Sequence, residues 1–335
     1  MEGPRMSTLA SLTADERSAR VALATAVEPD ESFTGKLVAR LGSAETIRLA
    51  GATDPIRGAD PAETQVWRQK LAARLNGETV RRALSQTERL GLRALIPGDP
   101  EWPAGLATLR ERAPLALWVK GDPATLTGPV AQKITLSGAR ASTSYGEYVA
   151  TEFSHEVAAR GRVVVSGGAY GIDIAAHRAA MAAGGRTVAV MPNGLDRLYP
   201  AGNHDALERV AEAGALVSEL PPGSSPTKWR FMARARLLAA LSGATVIVEA
   251  GYRSGSLRIA SEAVTLGRPV GAVPGPVTSA ASAGCHRLLR EHNARLVADA
   301  SDLDVLLTPA TTGRDFAATR TGASRKSPGR AGLSR

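Results

Sequence analysis

Two hydrophobic rhythms divide the chain. Through about residue 110 the apolar positions recur at helical spacing. Val21, Leu23, Ala24 and Val27 fall roughly on one face, and Phe33, Leu37, Val38 and Leu41 repeat the spacing before Gly42, the period of a half-buried helix. Thr13-Ala14-Asp15-Glu16 fits a capping box, in which the Thr oxygen accepts from the backbone N–H three residues on. A further helix is expected from Pro61, at its first position, to a close at Asn76-Gly77. Leu90 to Trp102 is irregular, with Pro97, Pro100 and Pro103 as punctuation. Residues 1–110 therefore read as a small helical domain and a linker.

From Lys133 short apolar runs alternate with amphipathic stretches. The runs are Ile134-Thr135-Leu136, Val163-Val164-Val165, Thr187-Val188-Ala189-Val190, Ala215-Leu216-Val217, Thr245-Val246-Ile247-Val248, Pro269 to Val273 and Arg295-Leu296-Val297. Most are too short for helices and are rich in Val and Ile. Between them lie segments of helical length, such as Tyr145–Arg160 and Ile172–Ala183. Strands alternating with helices predict an α/β fold, a doubly wound and mostly parallel sheet covered on both faces. Residues 111–308 are assigned to it. From Pro309 the chain is Thr, Gly, Arg and Ser without periodicity, so 309–335 is expected to be a disordered basic tail.

Composition narrows the classes. Hydrophobic residues make up 44% of 335, enough for a core, but aromatics are only 4%, so aliphatic side chains must build it. A single cysteine, Cys285, excludes an internal disulfide and a cysteine-rich zinc site. His155, His177, His204, His286 and His292 form no metal-ligand spacing, and neither a Walker A nor an HExxH motif is present. No metal, cofactor or catalytic residue is expected. No apolar run reaches spanning length and the N-terminus lacks the apolar centre of a signal peptide, which predicts a cytoplasmic protein without a membrane partner. The net charge is +9, of which +5 falls between Gly313 and Arg335, leaving +4 elsewhere. Any nucleic-acid surface on the ordered part must come from local placement of charge.

The candidate chemistry lies where the strands end, the edge at which doubly wound folds bind ligands. The first parallel strand runs into Ser137-Gly138-Ala139-Arg140 and Ser144. A glycine there lets backbone approach a phosphate, the next helix offers free N–H groups, and Arg140 can clamp a phosphate; a tight turn with a solvent-facing arginine explains it too. The second ends in Gly167-Gly168-Ala169-Tyr170-Gly171, again suited to an anion. Asp173 equally suits the first turn of a helix, and His177 suits a packed structural role. Tyr199, in the loop after the third, either stacks on a base or wedges the loop. After the fourth comes the densest basic and aromatic cluster, Lys228, Trp229, Arg230, Phe231, Arg234 and Arg236. Cations beside rings suit single-stranded nucleic acid, charges tracking phosphates and rings stacking on bases; otherwise the aromatics join the core of a solvated helix start. The fifth opens into Ser254-Gly255-Ser256, also fit for a phosphate. One such loop is ordinary turn chemistry, but a succession along one edge suggests an anion-binding rim.

Read in order, these loops resemble the DprA/Smf family of DNA-processing proteins. The matching run is Ser137-Gly138-Ala139-Arg140, SGGAYGIDIAAH from Ser166, NGLDRLYP from Asn193, SELPPG from Ser218, Phe231-x-x-Arg234-x-Arg236, VIVEAGYRSGSL from Val246 and GRPVGAVPG from Gly267. Leu95 to Asp122 resembles the family's lead-in. The resemblance implies a Rossmann-like, non-enzymatic domain that binds single-stranded DNA, works as a homodimer, protects incoming strands and helps load the RecA recombinase in natural transformation. It also implies that Arg140 contacts phosphate and that Lys228 and Phe231 contact the strand. The chain departs from the family pattern at Met232, Ala235 and Ala240, and at Arg258 and Ile259, where Arg258 adds a charge. Many members end in a winged-helix module, which is not expected here. Two rivals remain. One is a nucleotide-binding hydrolase or sensor of the LOG type, of whose PGGxGTxxE signature Ser254-Gly255-Ser256-Leu257 with Glu262 is a loose echo. The other is a degenerate member kept for protein–protein contact.

Overall fold

The computed structural model describes residues 13–308 of the chain; the expected basic tail lies outside the described residues. Five helices come first: α1 (Glu16–Ala26), α2 (Ser32–Leu41), α3 (Ser43–Ala50), α4 (Pro61–Arg74) and α5 (Gly77–Arg89). The cap of α1 is Asp15, whose Oδ1 accepts from the Ser18 N–H at 3.0 Å. That position, two residues after the expected Thr13, places the acceptor three residues before a free N–H. Asn76 does not merely close α4. Its side chain accepts from the Thr79 N–H at 2.8 Å and so starts α5. The core of this helical unit is Leu23, Phe33, Leu37, Trp67, Leu71 and Val80, with the Trp67 indole N–H donating to Thr34 Oγ1 at 2.9 Å.

A nine-stranded sheet follows. Its strands are β1 (Arg93–Leu95), β2 (Leu117–Gly121), β3 (Lys133–Ser137), β4 (Val163–Ser166), β5 (Thr187–Val190), β6 (Ala215–Ser218), β7 (Ala244–Ile247), β8 (Val270–Ala272) and β9 (Arg295–Leu296), in spatial order β1-β2-β6-β5-β4-β3-β7-β8-β9. From β6 to β9 all pairings are parallel, whereas β1–β2 and β2–β6 are antiparallel. Every residue of β3 to β8 is buried, as two-sided coverage demands. The covering helices are α6 (Ser144–Ala159), α7 (Ile172–Ala182), α8 (His204–Ala213), α9 (Lys228–Leu241), α10 (Leu257–Thr265), α11 (Ala283–Glu291) and α12 (Ser301–Leu307). Strand β4 shows the logic. Val163 and Val165 pack with Leu237, Leu238 and Leu241 of α9, while Val164 faces Phe153 and Val157 of α6 and Ile172 of α7.

The first strand, Arg93–Leu95, lies on the N-terminal side of the residue-110 boundary drawn from the sequence. The helical unit is also built onto the sheet. Val21 and Ala24 of α1 share a cluster with Trp118 of β2 and Met191, and the buried Trp118 indole N–H donates to Thr87 Oγ1 of α5 at 2.8 Å.

The chain lays β3, β4, β5 and β6 to one side and then returns to place β7 on the other side of β3. The loops after β3 and β7 therefore diverge, forming a switch point where such sheets take ligands.

Candidate functional site

The loops after β3 and β4 are pressed together by glycine. Gly171 has φ +72°, and a Cβ there would lie 2.3 Å from the Ala139 carbonyl oxygen and 2.6 Å from that of Arg140. The Ile172 N–H donates to the Ala139 carbonyl at 3.1 Å, and the Ala139 N–H donates to the Glu249 carbonyl at 2.7 Å. A Cβ on Gly138 would meet that Glu249 oxygen at 2.6 Å. These glycines thus serve contact between loops and fix the backbone from which Arg140 projects.

Gly167 and Gly168 were expected to receive an anion, and the structure corrects this. Both are buried. A Cβ on Gly167 would lie 2.5 Å from Asp173 Oδ2 and 2.7 Å from the Arg234 guanidinium. The Gly167 carbonyl accepts from Arg234, and the Gly168 carbonyl accepts from Asn203 Nδ2 at 3.1 Å. Gly167 makes room for the Asp173 and Arg234 side chains, while Gly168, at φ +70°, abuts Leu207, where a Cβ would lie 2.8 Å from Cδ2; neither opens toward a ligand. Asp173 itself accepts from the Ser137 hydroxyl at 2.7 Å. The start of α6 is likewise occupied. Thr143 donates through its N–H and its hydroxyl to the buried carboxylate of Glu249, at 2.8 and 2.7 Å. Glu249 thereby supplies the negative charge favoured at a helix N-terminus, beside the exposed Ser144.

The basic run of α9 separates into different fates. Lys228 is exposed and has no hydrogen-bond or ion-pair partner among the described residues. Arg230 donates to both carboxylate oxygens of Glu28, at 3.0 and 3.2 Å, and to the Ser225 carbonyl at 2.7 Å. Arg234 is buried, and also donates to the Val190 carbonyl at 2.9 Å. Burial, reinforced by the Arg140 charge and opposed by Asp173, lowers its pKa to about 10. Arg236 is buried against Glu219, with contacts of 2.7 and 2.6 Å, and lies 3.3 Å from Asp30. Arg234 and Arg236 therefore cannot hold phosphate as expected, because their guanidiniums serve interior carbonyls and carboxylates. Arg258, read as added charge, donates to the Met232 carbonyl at 3.2 Å and lies 3.5 Å from Glu262.

What the fold brings together is Arg140 and Phe231. The Arg140 guanidinium carbon lies 4.8 Å from the Phe231 ring centroid, that of Arg234 lies at 5.3 Å, and Tyr199 meets the ring edge-on at 5.8 Å. Arg140 is exposed and no carboxylate pairs with it among the described residues. The arrangement holds an uncompensated cation against an aromatic face, a geometry worth about 0.5–2 kcal/mol to the cation. Trp229, half exposed, donates its indole N–H to the Pro29 carbonyl at 3.2 Å. Ser254 and Ser256 bond to each other through their hydroxyls at 2.8 Å, and Gly255 beside them is exposed. Glu262 is committed to Arg112, at 3.0 and 3.2 Å.

Glu28, Asp30 and Glu219 were not singled out from the sequence. The acidic turn Glu28-Pro29-Asp30-Glu31 was the available signal, but only the docking of α1 and α2 shows that it faces α9.

His177 is buried, with Nδ1 2.7 Å from Thr187 Oγ1. That hydroxyl donates to the Val164 carbonyl at 2.8 Å, so Nδ1 carries the proton. Burial first, then the Arg234 charge, pushes its pKa down to about 3. In the unfolded chain it should titrate near 6.5. Below that pH the unfolded state takes up a proton that the native state refuses until about pH 3, so stability falls as pH drops through this window. The expected slope approaches about 1.4 kcal/mol per pH unit. Urea midpoints between pH 6.5 and 5 should flatten in His177→Asn relative to the wild-type protein; parallel curves would refute the assignment.

Among the described residues no helix is long and apolar enough to cross a membrane, and no cluster of three His, Cys, Asp or Glu side chains could hold a metal. A family model described as DNA recombination-mediator protein A matches residues 93–307. A DNA processing protein DprA of Mycobacterium tuberculosis is 44% identical over 280 residues, which is 79% of this chain and 72% of the relative. The X-ray structure of DNA processing protein A from Streptococcus pneumoniae matches with a TM-score of 0.70 at 26% identity, covering 86% of this chain and 96% of that one. A structure of DNA processing protein A from Helicobacter pylori, described for its single-stranded DNA binding mode, matches with a TM-score of 0.58 at 30% identity, covering 64% of this chain and 95% of that one. The matched span opens at β1 and runs through α12, so it takes in the whole sheet and every loop of the site. On this agreement of sequence, fold and loop order, the chain belongs to the DNA recombination-mediator protein A family, the DprA/Smf DNA-processing proteins.

Proposed function

We propose that this protein binds single-stranded DNA along the carboxyl-end rim of its sheet, as a non-enzymatic mediator. The observation that carries the reading is the Arg140 guanidinium lying 4.8 Å from the Phe231 ring centroid without a carboxylate partner. A phosphate can engage the free cation while an unpaired base stacks nearby, and only a single strand offers both. Lys228 supplies a second uncommitted charge; Gly138, Ser144, Gly171 and the Ser254-Gly255-Ser256 turn shape the rim around them. The relative described with a single-stranded DNA binding mode supports the same reading. Protection of the strand, delivery to a RecA-type recombinase and action as a homodimer belong to the proposal through the family. The nucleotide-hydrolase alternative gains nothing from Glu262, whose carboxylate is committed to Arg112 at 3.0 Å and lies 3.5 Å from Arg258.

The test is a salt titration with oligo-dT beside a duplex of the same length. Log affinity for the single strand should fall with log salt at about −0.7 per phosphate contacted, and the duplex should bind more weakly. Glu28→Gln should release Arg230 toward the strand, raising affinity at low salt and steepening the slope by about 0.7. An unchanged slope in that variant would show that Arg230 stays with the protein. Equal single- and double-strand affinity would defeat the stacking argument.

A further inference from the structure

The chain has four phenylalanines, four tryptophans and five tyrosines. Several of the first two kinds fill the interior, as Phe33, Phe153, Trp67 and Trp118 do. The tyrosines do the opposite. Tyr145, Tyr148, Tyr170, Tyr199 and Tyr252, all five, are between 41% and 65% exposed. They stand in the loops after β3, β4, β5 and β7 or in the first turns of the helix that follows. A core short of aromatic side chains leaves every tyrosine at one edge of its sheet, with much of each ring exposed.

Four of them form two groups on either side of the switch point. Tyr199 touches Phe231 of the Arg140 site, and Tyr170 lies against Gly202, after β5, whose Cβ would meet its hydroxyl at 2.5 Å. Tyr252 and Tyr145 lie on the other side, over β7 and β8. The Arg287 guanidinium of α11 lies 5.2 Å from the Tyr252 ring centroid. The Tyr145 hydroxyl donates to the Pro274 carbonyl after β8 at 2.6 Å, which ties its half-exposed ring to that loop. Arg253, next to Tyr252, is exposed and has no ion-pair or hydrogen-bond partner among the described residues. Arg287 also donates to Glu291 Oε2 at 2.9 Å, so it backs the ring while Arg253 is the uncommitted cation. In an exposed ring, a guanidinium beside it and a free charge nearby, the β7 side is similar to the β3 side.

Resting on the single-stranded DNA reading, we propose that Tyr252, Arg253 and Arg287, with Tyr145, form a second base-stacking and phosphate-binding subsite for the same strand. The strand would cross the switch point from the Phe231 side to the Tyr252 side. The loops concerned follow five adjacent strands, β5-β4-β3-β7-β8. At about 4.8 Å between strands the rim is roughly 20 Å long. At about 3.4 Å per nucleotide of stacked strand it takes about six nucleotides.

The experiment uses the full chain and a labelled oligo-dT of about twelve nucleotides, with a 5-iododeoxyuridine version for photocrosslinking. Tyr252→Ala should weaken binding about five-fold or more, as loss of one stacked base does, while Tyr252→Phe retains affinity. Crosslinks should map to Tyr252 as well as to the Trp229–Phe231 segment. Arg253→Ala should lower the salt slope by about 0.7. Because both side chains are exposed, circular dichroism should show these variants folded. If the wild-type protein binds, Arg140→Ala weakens it, and Tyr252→Ala binds like wild type without a Tyr252 crosslink, the second subsite is wrong and the first stands. If the wild-type protein does not bind oligo-dT at all, the single-stranded DNA reading fails and this inference fails with it.

Discussion

Arg236→Met is expected to destabilise the protein by about 3–5 kcal/mol, the usual cost of removing one member of a buried ion pair. Arg236 is 1% exposed, and its guanidinium bonds both oxygens of Glu219, at 2.7 and 2.6 Å, and the Arg112 carbonyl at 2.9 Å. Methionine fills much of the volume but leaves the Glu219 carboxylate buried without a counter-charge. Asp30, 3.3 Å from Arg236, keeps Arg112 at 2.7 Å, so the loss centres on Glu219. The double variant Arg236→Met with Glu219→Leu should recover most of the stability, because the stranded charge is gone. Denaturant midpoints of the single and double variants check this. If Arg236→Met alone is neutral, Arg236 is solvated in solution and its exclusion from the nucleic-acid site must be reconsidered.

Arg140→Ala is expected to weaken oligo-dT binding about ten-fold to a hundred-fold. A hydrogen bond to a charged group is worth about 1.5–3 kcal/mol, and here no internal partner takes up the lost cation. Arg140 is exposed, so the fold should be unaffected, and the denaturant midpoint should match that of wild type. The salt slope should fall by about 0.7 for the one phosphate lost. Phe231→Ala should also weaken binding, through lost stacking worth about 1–3 kcal/mol, but with little change in slope because it removes no charge. Arg140→Ala with unaltered affinity and slope would place the strand elsewhere.

The strand runs of the parallel block were legible because each is a short, mostly aliphatic segment between helical stretches, and from β3 to β8 two-sided burial allows little else; β9 at the edge is exposed. Strands β1 and β2 escaped. Arg93–Leu95 has only one fully buried residue, and Leu117–Gly121 follows a proline-rich segment that reads as linker. Both pair antiparallel at the sheet edge, outside the alternation that revealed the other strands. The loop order that carries the family resemblance was also legible, and with it Arg140, Lys228 and Phe231 as candidates.

The sequence alone determined the alternation that makes a doubly wound sheet, the glycine- and serine-rich strand ends, and the identity of the charges near them. Only the tertiary structure decided which of those charges are free. Lys228, Arg230, Arg234 and Arg236 look equivalent along nine residues, yet a helix turns them toward different surroundings: solvent, Glu28, the Gly167 carbonyl and Glu219. The acidic partners come from the α1–α2 turn and from the end of β6, distant in sequence and brought close by packing. Whether a cation can meet a phosphate depends on the opposite charges already within reach, and that is a property of three-dimensional neighbours that no local spacing encodes.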